Sequence, residues 1–159
     1  MQVQDLMSRD VVFVSPEEPV SVAARLLSRN NVGVLPVCTT DGHLRGVLTD
    51  RDIVLRCVAA QQDPARTMVR SVMTSRVVSA SPDEDAAQAA RRMASEQVRR
   101  LPVCEKGKVV GILSLGDLAV RQEKPMEAAP VVSRFAKGWP GCKNEFWIVC
   151  SCVLHDAAL

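Results

Sequence analysis

The sequence predicts an α+β fold made of two copies of a β-α-β-β-α unit, followed by a C-terminal extension. Two observations predict this class: an internal repeat, and in each copy an alternation of short β-rich runs with amphipathic helical stretches. Met7 and Leu35 of the first copy correspond to Met73 and Leu101 of the second at one constant offset. The second copy is one residue shorter in its hairpin turn, and the correspondence continues after that turn. A repeat this regular predicts two similar units across a pseudo-two-fold axis, with any shared site present twice.

The predicted boundaries place the first repeat at residues 1–60, the second at 61–122 and the extension at 123–159. A unit of this size is marginal alone because small domains bury too little of their surface. We therefore expect the two repeats to share one core. The hydrophobic fraction of 47% agrees with a folded protein.

The composition argues against nucleic acid and membrane partners. The net charge is only +2, aromatic residues make up 3% of the chain and Tyr is absent, so neither a basic patch nor a base-stacking platform is expected. The N-terminus has no basic segment followed by an apolar run, and the longest apolar stretch, Phe146–Leu154, is too short to cross a bilayer. We expect a cytoplasmic protein whose cysteines are mostly small buried hydrophobes.

Each repeat is predicted to begin with a strand and a helix. Val11–Val14 and Val77–Ala80 are β-rich, and Ser-Pro followed by acidic residues, at Ser15–Glu18 and Ser81–Asp85, indicates a helix start. Apolar residues at positions i, i+3, i+4 and i+7 then indicate one buried helix face in each copy. These residues are Val20, Ala23, Ala24 and Leu27 in the first copy, and Ala86, Ala89, Ala90 and Met93 in the second.

A hairpin and a last helix complete each unit. Asp41–Gly42 and Gly107 are the turn residues, because glycine and aspartate tolerate the backbone angles of tight turns. The predicted strands are Val34–Cys38 with Leu44–Leu48 and Arg100–Cys104 with Val109–Leu113, and the last helices start near Asp50 and Leu115.

The junctions between the last strand and the last helix carry the most informative motif. Gly46–Asp52 and its copy Gly111–Asp117 each place a hydroxyl and, three residues later, a carboxylate where a helix begins. One interpretation is structural, because Thr49 and Ser114 are good helix caps and the acid completes a capping box. The other is functional, because free N–H groups and a hydroxyl suit a phosphate while a carboxylate suits ribose hydroxyls. Both interpretations remain open at this point.

The doubled pattern, with Leu-Pro-Val-Cys entering a strand and Gly-h-h-[Thr/Ser]-x-x-Asp (h apolar) leading the last helix, resembles a tandem pair of cystathionine-β-synthase (CBS) domains, called a Bateman module. The resemblance covers roughly residues 1–122. It implies two repeats packed face to face, with two clefts that bind AMP, ATP, NAD, S-adenosylmethionine or related adenosyl ligands, and no required cofactor. It also implies a homodimer and a protein target that responds to ligand occupancy.

The resemblance also implies the site residues. Thr49 and Asp52 would serve one cleft, toward phosphate and ribose, and Ser114 and Asp117 would serve the other. The backbone around four residue pairs would line the adenine pockets. These pairs are Val11 and Val12, Leu35 and Pro36, Val77 and Val78, and Leu101 and Pro102.

The two copies differ in charge at these positions. Arg51 lies between the hydroxyl and the acid of the first copy, within reach of a phosphate, and the second copy has no charge there. Arg99 and Arg100 precede the second Leu-Pro where the first copy is uncharged. One of them turned into a cleft would supply the missing charge; the alternative is two solvent-facing arginines. We expect unequal sites, with the phosphorylated ligand in the first.

No constellation of residues predicts catalysis, because only two His are present and no phosphate-binding Gly-rich motif occurs. Four soft metal ligands do lie in the extension, but they lack the Cys-x-x-Cys pair of structural zinc sites. A packed apolar terminus with incidental thiols is therefore the simpler interpretation. The four residues are Cys142, Cys150, Cys152 and His155.

Three hypotheses follow from these observations. The leading one is a non-catalytic sensor that binds adenosyl ligands and signals their occupancy to a partner. The second is a ligand-free dimerisation scaffold in which the Thr/Ser-x-x-Asp motifs only cap helices. The third, an enzyme built around a metal in the extension, depends on bound metal.

Overall fold

The computed structural model describes residues 1–120, which form two β-hairpins flanked by helices. The first repeat contains α1 (Val20–Arg29), β1 (Val34–Cys38), β2 (Leu44–Thr49) and α2 (Asp50–Ile53), which continues as a π-helical segment, Val54–Val58. The second contains α3 (Val69–Val72), α4 (Ala86–Glu96), β3 (Arg100–Glu105), β4 (Lys108–Ser114) and α5 (Leu115–Val120). A 3₁₀ turn, Val3–Asp5, precedes them. No helix within residues 1–120 is long and apolar enough to span a membrane.

The two hairpins confirm the predicted strands and turns. β1 pairs antiparallel with β2 and β3 with β4, each with a register shift at the Cys of the Leu-Pro-Val-Cys sequence. Gly42 has φ of 86° and Gly107 has φ of 80°, values that glycine adopts without the steric cost of a side chain. The last helices begin at Asp50 and Leu115, as predicted.

The first helix of each repeat begins directly after the predicted helix-start residues, at Val20 and at Ala86. Ser15–Glu18 is a turn, closed by a hydrogen bond from the Ser15 N–H to the Glu18 carboxylate at 2.7 Å. Glu18 precedes Pro19, and a residue before proline is disfavoured in helical conformation, so α1 begins only at Val20. In the second repeat Asp85 caps α4 by accepting a hydrogen bond from the Ala87 N–H at 3.1 Å. The predicted buried faces of both helices are correct.

The prediction of full strands at 11–14 and 77–80 is wrong. In the first repeat only Val14 pairs with β1, through its N–H to the Pro36 carbonyl at 3.1 Å and its carbonyl to the Cys38 N–H at 2.9 Å. The next bonds of this parallel ladder would need N–H groups from Pro36 and Pro16, and proline has none. Ala80 makes the equivalent single bridge in the second repeat, between prolines at positions 82 and 102.

The described residues bury two separate hydrophobic cores, which corrects the expectation of one shared core. Val3 and Leu6, at the start of the first repeat, pack into the core of the second. Val69 and Val72, at the start of the second repeat, pack into the core of the first. Backbone hydrogen bonds hold the exchanged segments, among them Val3 N–H to the Glu84 carbonyl at 2.9 Å. Each repeat therefore needs a segment of the other to complete its core.

The repeats also join at their hairpins. The Leu44 N–H donates to the Gly107 carbonyl at 3.1 Å, and the Val109 N–H donates to the Gly42 carbonyl at 3.1 Å, so that the two turns pair with each other. Val47 exchanges two backbone hydrogen bonds with Thr74, at 3.0 and 2.9 Å. These contacts relate the hairpins by the predicted pseudo-two-fold axis and fix the relative placement of the two junction motifs.

Candidate functional site

Thr49 and Asp52 form reciprocal hydrogen bonds where β2 meets α2. The Thr49 N–H donates to Asp52 Oδ2 at 3.0 Å, and the Asp52 N–H donates to Thr49 Oγ1 at 3.0 Å. This capping box satisfies backbone groups that the first helical turn cannot pair internally. The structural interpretation of the motif is therefore correct, and the cap fixes the position of the carboxylate.

Ser114 and Asp117 repeat this arrangement where β4 meets α5. The Ser114 N–H and Oγ donate to Asp117 Oδ2 at 2.8 and 2.7 Å, and the Asp117 N–H donates to Ser114 Oγ at 3.2 Å. Both caps use only one oxygen of each carboxylate. Oδ1 of Asp52 faces Arg56 at 3.4 Å, and Oδ1 of Asp117 has no hydrogen-bond partner within residues 1–120. Capping therefore leaves one carboxylate oxygen in each repeat able to accept from a ligand hydroxyl.

The valine pairs predicted to line the adenine pockets have unsatisfied backbone groups. Val11, Val12, Val77 and Val78 are half-buried, and their N–H and C=O groups make no hydrogen bond within residues 1–120. The bridge between Val14 and Val37 is parallel, so the chain before Val14 points toward the start of β1. Val12 therefore lies near the end of the hairpin at which Val34 pairs with Thr49. The free backbone groups and the capped hydroxyl–carboxylate pair thus lie at the same end of the hairpin.

The Leu-Pro pairs offer less to a ligand than the valines. The Leu35 and Leu101 side chains are fully buried in the two cores. The carbonyls of Pro36 and Pro102 accept hydrogen bonds from Val14 and Ala80. These residues can therefore shape an apolar wall, but their hydrogen-bonding groups are largely committed to the protein.

The three predicted site arginines lie in different surroundings. Arg51 and Arg99 are exposed, and the Arg99 carbonyl accepts from the Leu115 N–H at 3.0 Å. Arg100 belongs to the second repeat, yet its Nη1 lies 3.6 Å from the point that a Cβ on Gly33 of the first repeat would occupy. The Asp50 Oδ2 lies 3.8 Å from the same point. The sequence carried no signal for this crossing, because a long side chain on an exposed strand end can turn in several directions.

Cys38 and Cys104 occupy equivalent positions and stay protonated at neutral pH. Burial raises the pKa of Cys38 to about 11, and the neighbouring Cys104 adds to the rise. Burial also raises the pKa of Cys104, against the opposing effect of a hydrogen bond with Ser79. Because the thiolate is the nucleophile and the metal ligand, both side chains behave as the small hydrophobes predicted.

The described residues contain no group of three or more His, Cys, Asp or Glu arranged to hold a metal ion. The candidate ligands Cys142, Cys150, Cys152 and His155 lie outside the part of the chain that the structure describes.

An exposed apolar surface on the helix after β2 escaped the sequence analysis. Val54, Leu55 and Val58 are 54%, 52% and 58% exposed, whereas Ile53 and Cys57 of the same helix are buried. The sequence offered only a spacing, because Val54 and Val58 are four residues apart and so share a helix face.

The family model described as CBS domain matches the chain twice, at residues 3–58 and 69–124. The chain belongs to this family and is a tandem CBS-domain pair. Such pairs are typically regulatory, ligand-binding modules, and no catalytic family is indicated.

Three relatives illustrate the similarity. The CBS domain-containing protein YhcV of Bacillus subtilis is 44% identical over 120 residues, covering 76% of this chain and 84% of YhcV. The crystal structure of Hypoxic Response Protein I with two coordinated zinc ions has a TM-score of 0.71 at 30% identity, covering 76% of this chain and 98% of that one. The CBS domain pair of protein MJ0100, in complex with 5′-methylthioadenosine and S-adenosyl-L-methionine, has a TM-score of 0.67 at 26% identity, covering 75% and 93%.

Proposed function

We propose that this chain is a non-catalytic sensor that binds adenosyl ligands at two sites, one at the Thr49–Asp52 junction and one at the Ser114–Asp117 junction. The observation that carries the proposal is the half-buried valine segment with unpaired backbone groups that accompanies each junction. N–H and C=O groups without a protein partner in a half-buried segment can pair with a ligand, so these segments suit a flat heterocycle with donors and acceptors along its edge.

The two junctions would bind the sugar end of the ligand. Oδ1 of Asp52, which faces Arg56, and Oδ1 of Asp117 would accept from ribose hydroxyls, while the Thr49 and Ser114 hydroxyls would lie toward the 5′ substituent. The adenosyl ligands of the MJ0100 pair support this ligand class. AMP, ATP, NAD and S-adenosylmethionine are the candidate ligands, and we propose that no cofactor is required.

Signalling would need a surface that a partner protein can bind. We propose that Val54, Leu55 and Val58 form the contact of a homodimer in the cytoplasm, and that ligand occupancy changes how the pair meets its protein target. Light scattering should show a dimer that Leu55→Glu converts to a monomer, because a buried unpaired carboxylate is costly at an apolar contact. Met68→Glu, at an exposed residue outside this surface, is the matched control.

A ligand-free scaffold remains the second candidate, and one observation favours it. Both acids are already engaged by their own caps, so neither needs a ligand to explain its presence. A scaffold would keep its melting temperature in the presence of every adenosyl compound.

Thermal unfolding with AMP, ATP, NAD and S-adenosylmethionine separates the two functions. A ligand that binds only the folded state at 100 times its Kd adds about 2.7 kcal/mol to the free energy of unfolding. The double variant Asp52→Asn/Asp117→Asn should lose this gain, while Asp83→Asn, at an exposed residue outside both junctions, should keep it. No shift with any of the four ligands would leave only the scaffold.

A further inference from the structure

One arginine of α4 holds the end of the second valine segment, Val77–Val78. Arg92 Nη1 donates to the carbonyl of the next residue, Ser79, at 2.6 Å. The same guanidinium pairs with Glu84, with Nη2 2.7 Å from Oε1 and Nη1 3.2 Å from Oε2. The N–H and C=O groups of Val77 and Val78 make no hydrogen bond within residues 1–120. Arg92 therefore fixes this segment without using the backbone groups that a ligand would need.

The Glu84 side of this contact is also fixed. The Glu84 side chain is only 10% exposed, and its Oε2 accepts from the Ser81 N–H at 3.3 Å. Ser81 lies two residues after Ser79, so the carboxylate and the guanidinium grip the same short stretch of backbone. Charge-assisted hydrogen bonds are stronger where little water competes for the groups. The second valine segment is thus connected to α4 through a partly buried ion pair.

The first repeat lacks the arginine. The counterpart of Arg92 is Leu26, which packs against the first hydrophobic core and has no donor group. Glu18, the counterpart of Glu84, keeps the contact to the backbone, because it accepts from the Ser15 N–H at 2.7 Å. The two repeats therefore differ at this point in a single side chain, and that side chain is the one that reaches the valine segment.

The end of the first valine segment, Val11–Val12, is free as a result. Phe13 occupies the position of Ser79; its side chain is 51% exposed, and its carbonyl accepts no hydrogen bond within residues 1–120. The nearest anchor is the bridge from Val14 to β1. A backbone segment without such bonds samples more conformations, and fixing it costs conformational entropy. The two segments thus offer the same backbone groups, but only the second is held beside them.

We propose that Arg92 is a positioning residue that orders the second valine segment for an adenine ring before the ligand arrives. The first site must instead order its segment on binding. This inference rests on the proposed function, because it concerns the same two sites. A site that is competent only a tenth of the time binds about ten times more weakly. A ligand without a phosphate should therefore fill the Ser114–Asp117 site before the Thr49–Asp52 site.

NMR relaxation of the ligand-free chain measures the difference in order. Backbone order parameters at residues 77–79 should be about 0.85, the value of rigid backbone, and those at residues 11–13 should be lower. Arg92→Leu, which introduces the residue of the first copy, should lower the values at 77–79 to those of the first segment. Arg91→Leu, at the exposed neighbouring residue, is the matched control. Equal order of the two segments in the unmodified chain would overturn the inference.

Isothermal titration with adenosine measures the effect on binding, and because adenosine has no phosphate, a change of protein charge does not act on it directly. The Asp52→Asn background reports on the second site alone. In that background Arg92→Leu should weaken adenosine binding about tenfold. Arg92→Lys should weaken it less, because an ammonium keeps the charge facing Glu84 but lacks the fork that also reaches the Ser79 carbonyl. Urea unfolding checks that each variant is folded during the titration.

Leu26→Arg tests the proposal in the opposite direction and does not depend on the stability of the Arg92 variants. By the pseudo-two-fold relationship this arginine would face Glu18 and the Phe13 carbonyl, and its aliphatic stem can cover the apolar surface beneath it. In the Asp117→Asn background, which retains the first site, it should tighten adenosine binding several-fold. Ser28→Arg adds the same charge at an exposed position of α1 and should not.

The possible failures are distinguishable. If adenosine binds the unmodified chain but Arg92→Leu and Leu26→Arg leave its affinity unchanged, this inference is wrong and the proposed function stands. Equal loss of affinity at both sites in Arg92→Leu would also overturn the inference, because it would indicate a change in the whole fold. Absence of adenosine binding at both sites would overturn it as well, because an ordered segment acts on the adenine ring. The thermal shifts with the four candidate ligands then decide separately on the proposed function.

Discussion

Arg56 connects Asp52 to the exchanged segment of the second repeat. Its Nη1 lies 3.4 Å from Asp52 Oδ1 and donates to the Val72 carbonyl at 2.8 Å and to the Thr74 hydroxyl at 3.2 Å. Val72 ends α3, which completes the core of the first repeat. A ligand hydroxyl that bonds to Oδ1 of Asp52 therefore competes with Arg56, whose side chain holds the two repeats together. Ligand binding can thus change the contacts between the repeats.

Asp52→Asn is expected to lower the free energy of unfolding of the ligand-free chain by about 1 kcal/mol, the usual effect of weakening a cap. The carboxamide also loses the charge that faces Arg56. Asp117→Asn is the matched variant of the second junction. Urea unfolding measures both effects, and adenosine titration should show that each variant loses one site. If both variants destabilise the chain but bind adenosine as before, capping is the whole role of the motif.

Gly46→Ala is expected to cost about 1–3 kcal/mol through overpacking. A Cβ at position 46 would lie 2.8 Å from both the Met73 Sδ and the Thr74 carbonyl oxygen. Thr74 cannot move away easily, because its backbone bonds to Val47 in both directions. Urea unfolding measures the loss.

Gly116→Ala is the control for this prediction, since its Cβ would meet only the Ser114 Oγ at 3.5 Å and alanine favours the helix. It should be neutral or stabilising. Equal effects of the two substitutions would show that the contact between Gly46 and the second repeat is not as tight as described.

The stability of the chain should fall above about pH 9 because of the Cys38 thiol. Its pKa rises from 9.0 to about 11 on folding, so between these values the unfolded chain releases a proton that the folded chain keeps. The contribution of this thiol to the free energy of unfolding is thus fully present below pH 9 and is lost as the pH rises toward 11. The loss is on the order of 1–2 kcal/mol for one partly screened group. Urea unfolding at pH 8 and pH 10.5 measures the difference, and Cys38→Ala should reduce it.

The sequence predicted the local parts of this structure well. The hairpins depend on turn glycines, and the buried helix faces depend on apolar residues spaced three or four apart. Both signals are local in the sequence. The single bridge at Val14 could also have been predicted, because Pro16 and Pro36 remove the N–H groups that a longer ladder needs.

Long-range placement was not predictable in the same way. The two lead-in segments, Val3–Met7 and Val69–Met73, have similar apolar patterns, so the sequence does not indicate that Val3 packs on the second repeat. The position of Arg100 depends on the relative placement of the two hairpins, which is known only once the repeats are assembled. The junction motif was predictable as a cap, while its ligand remains a proposal.

The exchange of segments predicts which half of the molecule each substitution will loosen. Val3 and Val69 are both fully buried, and truncation to alanine removes two methyl groups from a closed core, at a cost of about 2 kcal/mol. Val3→Ala, in the first repeat, should lower hydrogen-exchange protection mainly in β3 and β4, because Val3 packs with Leu101 and Leu113.

Val69→Ala, in the second repeat, should lower protection mainly in β1 and β2, because Val69 packs with Leu35 and Leu48. The two variants are matched in chemistry and in burial, so each serves as the control for the other. Local opening follows the contacts that a side chain makes and not its position along the chain, so the pattern of protection is the decisive measurement. Loss of protection confined to the repeat that carries the substitution would show that the segments pack on their own repeats in solution, and the exchanged arrangement would be wrong.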